Sequence, residues 1–187
     1  YEMTAAMFWI GPKGSLTPLH YDASGLSAFA QFVGRKRFVL YPFEDTEYLY
    51  PSDIFDYQSV FSSVNIDAPD LARYPKFPKA RRIELVLEPG ELLFIPNKMW
   101  HQVEALDNSI SVSRRMTKTR LTPEAAAWNT KAFLHLLGLY KPERCLCHID
   151  PLTPADLAVF GPAIRFLVKA GGLKAHGKDL AEQIGWV

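Results

Sequence analysis

The feature that most constrains this chain is a change of period near residue 118. Before it, short runs rich in β-branched and aromatic residues fall at 6–11, 16–22, 27–33, 37–41, 82–87, 91–96, 101–105 and 109–116, punctuated largely by glycine and proline. That is strand text. Little helical sequence separates the runs, which favours a sandwich or barrel over an alternating α/β sheet. After Lys118 the period becomes helical. Thr122-Pro123-Glu124 reads as an N-cap with proline at the first helical position. Ala125, Trp128, Ala132 and Leu136 follow at spacings of three and four, and Gly138 is a suitable stop. Further helical text starts at Thr153-Pro154-Ala155-Asp156 and occupies 163–170 and 178–184. The reading is a mainly β barrel over 1–118, followed by a C-terminal helical region over 119–187.

One connection is unusual. Pro42 opens a mixed segment that runs to Ala80 and carries Phe43, Tyr48, Tyr50, Phe55, Tyr57 and Phe61. A connection this long in a compact domain is usually a lid or a binding loop, and its aromatic content argues against disorder. It is expected over the mouth of the barrel.

Composition sets outer bounds. At 187 residues and 48% hydrophobic, the chain suits one globular domain. Its net charge of +1 gives no bulk argument for nucleic acid or an anionic membrane. No apolar run reaches the roughly 18–20 residues needed to span a bilayer, and no basic-then-apolar leader opens the chain. An intracellular, cytoplasmic or nuclear, protein is expected. Tyr1 in place of Met suggests a piece trimmed from a longer chain. Cys145 and Cys147 cannot make a disulfide framework. Cys145-Leu146-Cys147-His148 supplies too few well-spaced ligands for zinc, so reduced thiols are the better reading.

The chemistry lies in Thr17-Pro18-Leu19-His20-Tyr21-Asp22. On a strand, i and i+2 share a face, so His20 and Asp22 project together while Tyr21 points away. Trp100-His101 offers a third ligand, just after the 91–96 strand and its Asn97-Lys98 turn. Two histidines and one carboxylate, with open positions left over, form the facial triad of non-haem Fe(II) oxygenases. Two other histidines read differently. His135 sits in apolar helical text as a packed or capped residue, and His176 reads as solvated.

Longer stretches carry a resemblance. They are Trp9-Ile10-Gly11, Gly14-Ser15-Leu16-Thr17-Pro18-Leu19-His20-Tyr21-Asp22, Phe29-Ala30-Gln31-Phe32-Val33-Gly34-Arg35-Lys36-Arg37 and Leu40-Tyr41-Pro42. Glu88-Pro89-Gly90-Glu91-Leu92-Leu93-Phe94-Ile95-Pro96, Trp100-His101 and Ser109-Ile110-Ser111-Val112-Ser113 continue the series. The chain resembles the JmjC-type, cupin-like 2-oxoglutarate oxygenases over about residues 7–116. It looks closest to their hydroxylase branch, which includes the asparaginyl hydroxylase acting on hypoxia-inducible factor. The resemblance implies a double-stranded β-helix, a jelly-roll barrel, with the metal inside one mouth.

By position, the resemblance makes His20, Asp22 and His101 the iron ligands. Lys36 would pair with the distal carboxylate of 2-oxoglutarate, and Thr17 would donate a hydroxyl hydrogen bond to it. Lys36 has a physical case of its own: Phe38 and Leu40 share its strand face, and a lysine on an apolar face needs an anion unless it snorkels to solvent. Ser27 stands where that branch often has an Asn contacting the co-substrate. Arg114-Arg115-Met116 replaces the aromatic text of many relatives. If Ser111 and Ser113 face inward, Arg115 does too. Arg115 then meets an acidic substrate group, helps hold 2-oxoglutarate, or pairs with a surface carboxylate at the rim.

The implied activity uses Fe(II), O2 and 2-oxoglutarate to hydroxylate a protein or peptide side chain, releasing succinate and CO2. Alternatives are N-methyl-lysine demethylation, a small-molecule or tRNA-base substrate, and a catalytically silent metal-binding cupin. The near-neutral charge disfavours tRNA. Relatives often dimerise through C-terminal helices, so a homodimer is a further expectation.

Overall fold

The computed structural model describes residues 2–3, 6–23, 25–54, 56, 59–117, 123–136 and 139–140. Contacts divide the chain into two units, one holding 1–52 and 58–121 and the other 53–57 and 122–187. Within the first unit, the described strands are β1 (Glu2–Met3), β2 (Met7–Gly11), β3 (Leu16–Asp22), β4 (Leu26–Val33) and β5 (Lys36–Tyr41). They continue as β6 (Ser59–Phe61), β7 (Ile83–Leu87), β8 (Leu92–Ile95), β9 (Trp100–Ala105) and β10 (Ser109–Thr117). Eight of these match the strand text within a residue or so at each end.

They form two antiparallel five-stranded sheets. One runs β1-β10-β4-β8, with β2 also paired to β10, and the other runs β6-β3-β9-β5-β7. The sheets pack face to face. Phe38, Leu40 and Leu87 from the second sheet cluster with Ile95 from the first, and Phe29, Leu93 and Val103 pack around them. Phe29 and Phe38 meet edge to face, 5.6 Å between ring centroids, an arrangement suited to the aromatic quadrupole.

The 42–80 segment does more than connect. Leu49, Val64 and Ile66 from it pack with Leu19, Val39, Tyr41 and Trp100, on the outer face of the second sheet. Its β6 adds an edge strand beside β3, with Phe61 opposite His20. The segment expected over the mouth thus builds a second apolar layer and one wall of the site. Asp45 anchors it, accepting from the Arg81 backbone N–H at 2.7 Å and from the Arg81 side chain.

Two local devices place the site. The tight turn from β4 to β5 uses Gly34 at φ +67°, where an added Cβ would lie 2.3 Å from the Asn108 carbonyl oxygen. Only glycine fits there. Gln31 Nε2 donates to the Val33 and Gly34 carbonyls at 2.8 and 2.7 Å, holding the turn that delivers Lys36. The second device is a β-bulge in β3. Thr17 pairs with Val103 and His20 with His101, so three steps on β3 span two on β9. Pro18 sits at this irregularity, where its missing N–H costs no ladder bond.

In the second unit, α1 spans Pro123–Leu136, as the Thr-Pro start and the helical period predict. His135 is buried, and its Nδ1 donates to the Tyr140 carbonyl at 2.7 Å. No helix among the described residues is long and apolar enough to cross a membrane. The later helical text, the Cys145-Leu146-Cys147-His148 tract, His176 and the surface expected to dimerise lie outside the described residues.

Candidate metal centre

Register places the site. Residues opposite each other in a ladder share a face, so Thr17, His20, His101, Val103 and Phe38 all point between the sheets. Simple alternation would have put Thr17 on the opposite face from His20. The bulge reverses that and turns Thr17 inward. From the other sheet, Ser27, Phe29 and Gln31 on β4 register with Arg115, Ser113 and Ser111 on β10.

His20, Asp22 and His101 converge, with a donor atom from each lying within 4.8 Å of the others. The imidazoles are 4.2 Å apart between centroids and tilted by 54°. Phe61 stacks on the other side of His20 at 5.3 Å. Each histidine is fixed in the same way. His20 Nδ1 is 2.8 Å from the Pro18 carbonyl oxygen, and His101 Nδ1 is 2.9 Å from that of Met99. A carbonyl only accepts, so Nδ1 carries the proton and Nε2 keeps its lone pair. This is how metal-binding imidazoles are oriented by their surroundings.

Electrostatics agree. Burial pushes the His20 pKa down to about 4, with the neighbouring His101 adding to the effect. Burial also lowers His101, against the pull of Asp22. Both rings are neutral near pH 7, the form that binds metal. Two neutral imidazoles and one carboxylate oxygen suit a divalent first-row transition metal, so the donor set fits the ion the sequence implies.

Asp22 is held on both oxygens. Ser27 Oγ donates to Oδ2 at 3.1 Å, and Arg115 Nη2 lies 2.7 Å from Oδ1. Arg115 does point inward, but its partner is the buried Asp22 rather than a surface carboxylate at the rim. Ser27, expected against the co-substrate, likewise spends its hydroxyl on Asp22.

Lys36 is buried, and its Nζ donates to Ser111 Oγ at 2.7 Å. Among the described residues, no carboxylate pairs with it. Burial lowers its pKa. A buried ammonium with one neutral partner is a costly arrangement that a bound carboxylate would relieve. These features fit an anionic co-substrate. Thr17 is half-buried on the same inner face.

Four participants escape the sequence reading. Ser111 was visible only as part of an inward Ser109/Ser111/Ser113 alternation. Phe61 comes from 41 residues beyond His20 and depends on the pairing of β6, which no local signal announces. The Pro18 and Met99 carbonyls each lie two residues before a histidine and are set by backbone geometry alone.

A family model described as a cupin-like domain matches residues 1–114. HSPB1-associated protein 1 of Rattus norvegicus is 50% identical over 100 residues, which are 53% of this chain and 21% of that protein. Lysine-specific demethylase 8 of Xenopus tropicalis is 44% identical over 105 residues, 56% of this chain and 23% of the relative. JmjC domain-containing protein D of Dictyostelium discoideum is 40% identical over 107 residues, again 56% and 23%. The chain spans about a fifth of the length of the curated relatives it matches.

Proposed function

Because the chain belongs to the cupin-like domain family, in its JmjC type, we propose that it is an Fe(II)- and 2-oxoglutarate-dependent oxygenase. The observation that carries this reading is the convergence of His20, Asp22 and His101, with both histidine Nε2 atoms presented. The two facing sheets are read as a double-stranded β-helix with this centre in its interior.

In this reading, His20 and His101 bind Fe(II) through Nε2 and Asp22 through one oxygen. Bound there, the metal with O2 and 2-oxoglutarate supplies the oxidation: the co-substrate becomes succinate and CO2, and an oxygen atom enters a substrate C–H bond. The chain's own residues bind and orient. Lys36 receives the distal carboxylate of 2-oxoglutarate, helped by Ser111, and Thr17 adds a hydroxyl. Phe29, Phe38, Val103 and Phe61 keep the inner face apolar, which strengthens each polar contact made there. The protein is taken to act in the cytoplasm or nucleus.

The substrate is proposed to be a protein or peptide side chain, and the outcome hydroxylation. The similarity to a lysine-specific demethylase favours a second reading, N-methyl-lysine demethylation, which starts from the same C–H oxidation. These relatives do not single out the asparaginyl-hydroxylase branch. Mass spectrometry of peptides incubated with the loaded protein separates the outcomes. A gain of one oxygen means hydroxylation, and a loss of one methylene means demethylation. Neither change on any peptide, together with no succinate from 2-oxoglutarate, supports a silent metal-binding cupin instead.

A further inference from the structure

Asp22 is asked to do two things at once. As a metal ligand it must hold a cation against one oxygen, yet a cation is already there: Oδ2 accepts from the neutral Ser27 hydroxyl at 3.1 Å, while Oδ1 faces the Arg115 guanidinium, Nη2 at 2.7 Å. The arginine is not a stray surface group. Its side chain is 15% exposed, and it registers directly opposite Ser27 in the β4–β10 ladder. Its stem also has a prepared path. Gly25, at φ +90°, leaves space that a Cβ would close to 2.7 Å from Arg115 Cγ. Any side chain at residue 25 would be strained by the backbone and would press on the arginine.

A guanidinium and a divalent cation cannot both crowd one buried carboxylate cheaply. Cations a few ångströms apart repel strongly where water is scarce. We propose that Arg115 and the metal compete for Asp22, so that a divalent cation alone binds weakly. A dianionic ligand in the same interior offsets the excess positive charge and strengthens metal loading. Metal and co-substrate thereby load together, and the metal-free site stays charge-paired. Arg115 acts here as a positioning residue, through Asp22. The inference rests on the metal reading of the His20, Asp22 and His101 cluster.

The test is calorimetric titration with Mn(II), a divalent probe that does not turn the site over, with and without 2-oxoglutarate. Arg115→Gln is expected to bind Mn(II) about tenfold more tightly than the parent chain when 2-oxoglutarate is absent, within the usual range for coupled ligands. Adding 2-oxoglutarate should raise the parent's Mn(II) affinity more than the variant's, narrowing that gap. Arg115→Met, which keeps the apolar stem, serves as the second variant, and thermal melting checks both folds. Equal or weaker Mn(II) binding in a folded variant overturns the competition. The His20→Ala control separates the two levels: Mn(II) binding that survives it refutes the metal reading itself. Loss in His20→Ala with no change in Arg115→Gln refutes only the role of Arg115.

Discussion

Lys36 on β5 donates from Nζ to Ser111 Oγ on β10 across 2.7 Å, a bond that joins the two sheets across the space between them. The interest of the pair lies in its imbalance. A hydroxyl offers no charge, so the ammonium stays uncompensated among the described residues, and burial lowers its pKa. A stability role would be better served by an apolar side chain of the same length.

Lys36→Met should therefore move two measurements in opposite directions. Affinity for 2-oxoglutarate should fall at least about tenfold, because a charge-assisted hydrogen bond contributes roughly 1.5–3 kcal/mol. Folding stability should hold, or rise by on the order of 1 kcal/mol, as when buried charge is replaced by well-packed apolar groups. Calorimetry with Mn(II) present and urea unfolding read the two. Lost stability with unchanged 2-oxoglutarate affinity would make Lys36 a strut to Ser111 instead.

Acid should weaken the metal-free fold in a defined window. In the unfolded chain His20 takes a proton near 6.5, but in the fold only at about 4. Between those values the unfolded chain binds more protons, so stability falls as pH drops from 6.5 toward 4. Above 6.5 the contribution of the neutral ring is complete. The full loss from His20 is about 3 kcal/mol. His101 acts in the same direction. Urea midpoints followed from pH 7 to pH 4 should decline, and His20→Gln should flatten part of that decline. A parent profile level across the window would contradict the buried, neutral imidazoles.

Much of this was legible beforehand because strand text is local. Runs of β-branched and aromatic residues between turn formers set eight strands closely, and period-two alternation put His20 beside Asp22 and Arg115 on the face of Ser111 and Ser113. What alternation cannot register is an inserted residue. The bulge at Pro18 and Leu19 swaps the face of Thr17, and only the pairing to β9 reveals it. Long-range choices were hidden for a similar reason. Nothing near Phe61 says that it will stack on His20, and nothing near Arg115 says that its partner is Asp22, 93 residues earlier. The 42–80 segment was legible as ordered through its aromatics. Its apolar side chains pack on the outer face of the sheet because Leu19, Val39, Tyr41 and Trp100 present a surface there that needs cover.

The proposed oxidation depends on one centre, at His20, Asp22 and His101. Its most direct test is succinate formed from 2-oxoglutarate by the anaerobically reconstituted chain after O2 is admitted, with and without Fe(II). The parent should produce succinate only with Fe(II), slowly even when no substrate is added. His101→Ala and Asp22→Ala should lose both the product and the bound metal while remaining folded. Fe(II)-independent succinate, or undiminished product from folded His101→Ala, would contradict the assignment of the centre.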